Sequence, residues 1–237
     1  GAPALSFAFT FARVPGALGP LESLEPSSRR SPVIMPSTAE DELTTEAAPI
    51  VLPSNDNSPE LLAIRHTAAN VMAMAVQEVF PGTQVTIGPE WTVDGNGFYC
   101  DFRRVDSLKI TDADLKPIKK AADRIIKKKL PVTVERVPRD EARRRIEALD
   151  EPLKLELLDE MMADDETISI CRIGDAWWNI CTGPQLETTG GLAQNAIKLS
   201  SVAGAYWRGD ENREMLQRVS ATAWQTKVQL QEYGRLL

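Results

Sequence analysis

The stretch RHTAANVMAMAVQEVFPGTQVTIGPEWTVDGNGFYCDF, residues 65–102, contains the patterns that decide the fold. In its first half the apolar residues recur at helical spacing, and Pro81-Gly82 ends the predicted helix. The segments VTI (85–87) and GFYCDF (97–102) have the composition of strands and are joined through the turn-rich sequence DGNG. We therefore expect a long helix followed directly by a pair of strands.

The same patterns locate the other elements of the chain. Ser58 is an N-cap residue and Pro59 suits the first helical position, so the long helix is expected to begin there. Helices are predicted at 111–129, 139–148, 152–163 and from Thr222 onward, strands at 131–137, 167–173 and 176–181, and a strand pair or extended segment at 197–207. Helices interleaved with short strands predict an α+β domain over residues 58–237.

Bulk composition excludes several classes of protein. The chain has 43% hydrophobic and 26% charged residues, as soluble globular proteins do. No apolar run approaches the roughly 20 residues that span a bilayer, so no transmembrane segment is predicted. The three cysteines are scattered without a CxxC pair, and there is one histidine. Neither a disulfide framework nor a metal or other cofactor is predicted.

Residues 1–57 differ in composition from the rest. Residues 1–60 hold nine of the sixteen prolines and carry a net charge of −5. Such a segment buries too little apolar surface to offset its chain entropy, so we expect an extended acidic tail. The first residue is Gly1 rather than methionine, which fits either a processed organelle precursor or a trimmed chain. An organelle is the expected setting, with the plastid favoured over the mitochondrion.

Residues 116–145 form a strongly basic segment, with twelve lysines and arginines against four acids. In the predicted helix at 111–129 the lysines lie opposite the apolar face, which is typical of a solvated helix surface. The same charge also suits RNA phosphates. The candidate RNA-binding residues are Lys127, Lys128, Lys129, Arg143, Arg144 and Arg145.

Two short motifs have the form of incomplete chemical sites. His66 and Asn70 are four residues apart and share a helix face, but the second is an amide that does not titrate. In the sequence NICTGPQL (179–186), Cys181 lies in a Gly-Pro-braced loop, and Gln185 follows four residues later. A reactive thiol needs an electropositive neighbour or a base. A buried thiol is therefore the simpler interpretation, and half of a thiolate site is the alternative.

Three stretches together closely resemble the second N-terminal domain, the editing domain, of bacterial-type threonyl-tRNA synthetases. They are residues 65–102, NICTGPQLETTG (179–190) and SVAGAYWRGDENREMLQRVSATAW (201–224). The resemblance extends from about residue 60 to the C-terminus. It implies an α+β fold in which a mixed or antiparallel sheet and a central helix wall a cleft. It also implies descent from an activity that hydrolyses the ester of mischarged seryl-tRNA.

The family pocket combines H-x-x-x-H on the helix, D-x-C-x-x-x-H on the hairpin, and a lysine from the preceding helix. The residues that are retained at these positions are His66, Lys154 and Cys181. The positions of the second histidine, the aspartate and the last histidine are occupied by Asn70, Asn179 and Gln185. Amides keep size and hydrogen bonding but lose charge and proton exchange. Ester hydrolysis needs a base with a usable pKa, so a degenerate pocket without a catalytic residue is expected.

The resemblance also indicates domains that are expected to be absent. In the family a ubiquitin-like domain precedes the editing domain and an aminoacylation domain follows it. Here an acidic tail comes first and the chain stops at Leu237, so we expect a freestanding domain that cannot charge tRNA. The leading hypothesis is a structural or interaction subunit that contacts other protein subunits of a large organellar complex, partly through the tail. The alternatives are a trans-acting deacylase for seryl-tRNA(Thr) and a module that binds tRNA or rRNA without hydrolysis.

Overall fold

The computed structural model describes residues 50–106, 108–160 and 166–237. Residues 1–49, most of the predicted tail, lie outside the described residues. The end of the predicted tail packs on the folded body. Leu52 contacts a cluster that contains Trp224, and Asn55 accepts a hydrogen bond of 2.6 Å from Arg65. The packed body therefore includes residues upstream of Ser58, where the predicted domain begins.

The long predicted helix is confirmed and lies at the centre of the body. Helix α1 runs over Pro59–Val79, and the Ser58 hydroxyl accepts a hydrogen bond of 3.2 Å from the backbone N–H of Leu61. Helix α1 is buried along nearly its whole length, including its polar residues Arg65, Thr67 and Asn70. A helix that is covered on all sides belongs to the interior. Its polar side chains must therefore find partners within the protein.

The other elements follow in the predicted order. The further helices are α2 (Leu115–Lys127), α3 (Arg139–Glu147), α4 (Pro152–Glu160) and α5 (Lys227–Leu236). The strands are β1 (Gln84–Trp91), β2 (Phe98–Arg103), β3 (Val132–Pro138), β4 (Thr167–Ile173), β5 (Trp177–Ile180), β6 (Ile197–Tyr206) and β7 (Met215–Ala223).

The described strands form two antiparallel sheets. One has the order β1-β2-β7-β6 and the other β3-β4-β5. Because side chains alternate along a strand, Phe98 and Phe102 of β2 point into the core beside α1, and Tyr99 and Asp101 point to the opposite face. The predicted α+β architecture, with antiparallel sheets and a central helix, is confirmed.

The C-terminal part differs from the prediction. The closing helix begins at Lys227, after the N-cap Thr226, and not at Thr222. The residues before it form β7, which pairs with β2 along one edge and with β6 along the other. The segment 197–207 contributes the single strand β6. Thr222 and Ala223, which were predicted to begin the helix, are the end of this strand, because hydrogen bonding along both edges outweighs a weak local helical preference.

Helix α4 covers the first nine residues of the helix predicted at 152–163, and residues 161–165 lie outside the described residues. Within the described ranges, no helix is both long enough and apolar enough to cross a membrane.

Candidate functional site

A cleft of about 470 Å³ lies on the face of the four-stranded sheet that is turned away from α1. Tyr99, Asp101 and Arg218 line the cleft from this sheet, and we call this side the sheet wall. Residues 179–182, at the end of β5 and in the loop that follows, line the opposite side together with Leu157 of α4. We call this opposite side the loop wall. The resemblance implies a cleft that is walled by a sheet and the central helix, whereas no residue of α1 lines this cleft.

The sheet wall is built around a charged pair. The Arg218 guanidinium donates two hydrogen bonds of 2.8 Å each to the two carboxylate oxygens of Asp101, which is 2% exposed. The same guanidinium lies over the Tyr99 ring, 3.7 Å from its centroid. The hydrogen bonds to Asp101 raise the pKa of Arg218, so the guanidinium remains charged. Sequence reasoning missed this pair because β7 was not predicted as a strand.

The loop wall presents two of the predicted site residues to the cleft, Asn179 and Cys181. Both are largely buried. The Cys171 thiol, on β4, donates a hydrogen bond to the Cys181 sulfur. That hydrogen bond and burial both raise the pKa of Cys171. The hydrogen bond lowers the pKa of Cys181, against the opposing effect of burial. Cys181 is therefore the more acidic thiol of the two, and Asn179 contributes no charge beside it.

His66 lies behind the loop wall. Its side chain is 6% exposed, and its ring meets that of Trp91 edge to face, with the centroids 5.1 Å apart. The backbone of Gly183 covers the imidazole so closely that a Cβ on this glycine would lie 2.0 Å from His66 Nε2. Burial lowers the pKa of His66 to about 4, so the ring is neutral at physiological pH.

Asn70 and Gln185 are joined in a hydrogen-bonded cluster that attaches the loop to α1. The Gln185 side-chain oxygen accepts hydrogen bonds from the Thr67 hydroxyl at 3.1 Å and from the Asn70 amide at 3.3 Å. The Thr67 hydroxyl in turn accepts from the backbone N–H of Leu186 at 2.9 Å. We call Thr67, Asn70 and Gln185 the amide cluster. None of its side chains exchanges a proton near neutral pH.

Two polar side-chain atoms behind the loop wall have no hydrogen-bond partner among the described residues. They are Nδ1 of His66 and Nε2 of Gln185, and both are buried. Buried polar groups are normally paired, and an isolated one costs stability. The described residues behind the loop wall thus include the neutral imidazole of His66 and the amide groups of Asn70 and Gln185, and none of these three groups is a charged base.

Lys154 forms a buried ion pair with Glu151. Its side chain is 4% exposed and its ammonium lies 2.5 Å from the Glu151 carboxylate. The ammonium also lies 5.9 Å from the centroid of the Trp178 ring. Burial lowers the pKa of Lys154, against the opposing effect of the Glu151 charge. The sequence signal for this pair was the spacing of three residues between Glu151 and Lys154 at the start of α4.

The predicted RNA-binding residues divide into two groups with different surroundings. Each arginine of α3 has an acidic partner, because Arg143 contacts Asp159, Arg144 contacts Glu141, and Arg145 contacts both Glu135 and Glu141. The hydrogen bonds to Glu135 and Glu141 raise the pKa of Arg145. By contrast, Lys127, Lys128 and Lys129 are exposed at the end of α2. Among the described residues, none of these three lysines forms an ion pair.

No group of three or more His, Cys, Asp or Glu side chains is placed to hold a metal ion in the part of the chain that the structure describes.

Comparison of the sequence with known proteins identifies a family. Residues 168–220 match the family described as the threonyl and alanyl tRNA synthetase second additional domain. The chain is 54% identical over 188 residues to the chloroplastic/mitochondrial threonine–tRNA ligase 2 of Arabidopsis thaliana, which covers 79% of this chain and 28% of the ligase. It is 53% identical over 186 residues to the threonine–tRNA ligase of Synechocystis sp., covering 78% of this chain and 30% of that protein.

A similar match reaches the threonine–tRNA ligase of a Synechococcus strain, at 52% identity over 201 residues, covering 85% of this chain and 32% of the ligase. The chain thus spans roughly 30% of the length of these curated relatives. The central helix and the antiparallel sheets are the features that the resemblance in sequence predicts. The folded part of this chain belongs to the family of the threonyl and alanyl tRNA synthetase second additional domain.

Proposed function

We propose that this chain is an editing-like domain of the threonyl-tRNA synthetase family that no longer hydrolyses an ester and that acts as a structural or interaction subunit of a larger assembly. The observation that carries the proposal is the amide cluster. Gln185 accepts hydrogen bonds from Thr67 and Asn70 at a position where hydrolysis would call for a base. The cluster attaches the loop to α1 and activates nothing.

The state of His66 supports the loss of chemistry. A general base is most effective when its pKa lies near the working pH. Burial holds the pKa of His66 at about 4, and Gly183 separates its Nε2 from the loop wall. The imidazole is therefore a weak base in a covered position.

Lys154 supports the same conclusion, because its ammonium is paired with Glu151 and buried away from solvent. A lysine in such a pair neutralises one carboxylate and stabilises the packing of α4. Its charge is not available to a developing oxyanion in the cleft.

The alternative function is hydrolysis in trans of mischarged seryl-tRNA(Thr), and one observation favours it. Cys181 lines the cleft, and the hydrogen bond from Cys171 lowers its pKa. A thiolate is a nucleophile without an adjacent imidazole. Attack of Cys181 on the ester would break the bond to the ribose oxygen, release the tRNA with a free hydroxyl and leave a seryl thioester, which water would hydrolyse to serine and the free thiol. This route predicts that activity depends on Cys181.

The decisive experiment is incubation of seryl-tRNA(Thr) with the purified chain and with the variant Asn70→His/Asn179→Asp/Gln185→His. In the presence of the unmodified chain, we expect the ester to be hydrolysed no faster than in buffer alone. The triple variant is expected to hydrolyse it at least about 100-fold faster, because each restored acid–base group typically contributes that factor or more. Turnover by the unmodified chain would contradict the proposal.

Two further variants identify the cause of any turnover. Asn195→His adds one imidazole at an exposed position of the chain, so it controls for catalysis by histidine as such. Cys181→Ala removes the thiol from the cleft. Activity of the unmodified chain that disappears in Cys181→Ala would establish the thiol route.

For the setting of the protein we propose an organelle. The Arabidopsis relative is named as a chloroplastic/mitochondrial enzyme, and the acidic, proline-rich composition of the N-terminal segment differs from that of the folded body. Native electrophoresis of a plastid or mitochondrial extract, followed by immunodetection, tests the assembly. We expect a band far above the 26.1 kDa of the single chain, and migration as a monomer in both extracts would contradict the assembly.

RNA is the nucleic acid that we propose as an additional partner. The relatives are named as tRNA ligases, and the chain carries an exposed basic segment on α2.

A further inference from the structure

Helix α2 carries a straight row of lysines along its solvent side. A residue advances about 100° around an α-helix, so Lys116, Lys120 and Lys127 fall within about 40° of one another. All three side chains are exposed. The opposite side of the helix, which includes Ile118 and Ile125, is buried in the core against α1. We call these three lysines the α2 ridge.

The α2 ridge carries uncompensated charge. Its basic neighbours on the same helix are paired, since Lys119 contacts Asp123 at 2.6 Å and Arg124 contacts Glu78 at 2.6 Å. Among the described residues, the three ridge lysines form no ion pair. Asp123 and Glu78 are thus occupied by Lys119 and Arg124, and the ridge lysines are left to solvent.

We propose that the α2 ridge binds the phosphate backbone of RNA. The ridge is about 16 Å long, and its charges are arranged in a line, as are the charges of a nucleic-acid strand. The choice of RNA rather than DNA as the polyanion rests on the proposed function. It does not depend on whether the cleft hydrolyses an ester.

A membrane surface fits the ridge less well than RNA does. Helices that lie on membranes insert an apolar face beside their basic face. The apolar face of α2, including Ile118, Ile125 and Ile126, is buried within the protein. The ridge therefore offers charge without an apolar anchor.

The structure also assigns the contacts to α2 and not to α3. The α3 arginines Arg143, Arg144 and Arg145 each have a carboxylate partner, and RNA would have to displace it. When an exposed lysine binds a phosphate, only the water bound to the lysine and the counterions of the phosphate are released. Within the single basic segment that was predicted, the three α3 arginines are paired with acids, and the ridge lysines form no ion pair among the described residues.

The test compares two triple variants that remove the same charge. Lys116→Gln/Lys120→Gln/Lys127→Gln neutralises the ridge, and Arg143→Gln/Arg144→Gln/Arg145→Gln neutralises the α3 arginines. Binding to a fluorescein-labelled RNA hairpin is measured by anisotropy over a series of salt concentrations. Thermal unfolding followed by circular dichroism establishes that both variants are folded.

We expect the unmodified chain to bind the hairpin in a salt-dependent manner. Neutralising the ridge should lower the slope of log K against log salt by about 2 to 3, because each lysine–phosphate contact contributes roughly one unit. The variant Lys116→Arg/Lys120→Arg/Lys127→Arg should retain the slope, since it retains the charge. The α3 variant should also retain the slope of the unmodified chain.

Three outcomes would overturn the proposal. One is the absence of hairpin binding by the unmodified chain at low salt. Another is an equal loss of slope in the ridge and α3 variants, which would assign binding to net charge rather than to the ridge. The third is competition in which an acidic peptide, or vesicles of anionic lipid, displace the hairpin and bind the ridge more tightly. A failure in the deacylation assay alone would leave all these measurements unchanged.

Discussion

The two walls of the cleft hold their polar groups in different ways. On the sheet wall, Asp101 and Arg218 keep opposite charges in a bidentate pair that is part of the strand pairing. Behind the loop wall, the amide cluster contains only neutral groups. The sheet wall thus holds a charged pair, and neutral amides occupy positions 70 and 185, to which the resemblance assigns histidines. This difference is the basis of our proposal that the domain keeps the fold without hydrolysing an ester.

The largest effect is expected on the sheet wall. Asp101→Ala leaves the Arg218 guanidinium without its carboxylate, and breaking such a buried pair typically costs about 3 kcal/mol. Urea unfolding measures the loss of free energy. Arg235→Ala is the matched control, because it breaks an exposed ion pair with Glu232 and should cost less than about 1 kcal/mol. Equal costs for the two variants would show that the buried Asp101–Arg218 pair stabilises the protein no more than an exposed ion pair does.

The next largest loss of stability is expected behind the loop wall, and its cause is a steric contact rather than a charge. Gly183→Ala places a methyl group against the His66 imidazole, and overpacking of this kind costs about 2 kcal/mol. Gly234→Ala is the control, because a Cβ at this position in α5 meets nothing within 4 Å. A silent Gly183→Ala variant, by urea unfolding, would show that the loop is free to move away from His66.

The pH dependence of stability tests the neutrality of the loop wall. Because the pKa of folded His66 is about 4 and its ordinary value is 6.5, the unfolded chain takes up a proton first as the pH falls. The contribution of His66 to the free energy of unfolding is therefore fully present at pH values above 6.5, and it is lost as the pH falls toward 4. The loss by a pH of about 5 amounts to about 2 kcal/mol.

Because the chain has a single histidine, the titration of His66 can be followed directly by NMR of its imidazole. His66→Gln should remove the corresponding part of the pH dependence in unfolding experiments at pH values from neutral to mildly acidic. A measured pKa near 6.5 in the folded protein would show that the imidazole is not desolvated.

The smallest effect is expected within the amide cluster. Gln185→Ala removes the acceptor for Thr67 and Asn70 and should cost about 1 kcal/mol, the usual contribution of such hydrogen bonds. Gln185→Glu keeps the acceptor and adds a charge, so its stability should fall as the pH rises through the pKa of the new carboxyl. No change in either variant, by urea unfolding, would assign the attachment of the loop to its backbone alone.

The sequence predicted those parts of the fold that depend on nearby residues. The Ser58 cap and Pro59 begin α1, and Gly174 marks the hairpin of β4 and β5, as expected from local rules. Of the six pocket positions that the resemblance implies, Asn179 and Cys181 line the cleft. His66 lies against Gly183, Asn70 is hydrogen-bonded to Gln185, and Lys154 is paired with Glu151. Strand β7 was missed because its identity depends on pairing with β2 and β6.

By itself the sequence determined the fold class, the central helix and the neutral amides at positions 70, 179 and 185. Tertiary structure decided which polar groups meet. Asp101 and Arg218 are 117 residues apart, and Gln185 lies 118 residues from Thr67. It also decided that the α3 arginines are paired and the α2 ridge is free. The physical reason is that helices and caps depend on neighbours along the chain, whereas burial and charge pairing depend on distant residues that only packing brings together.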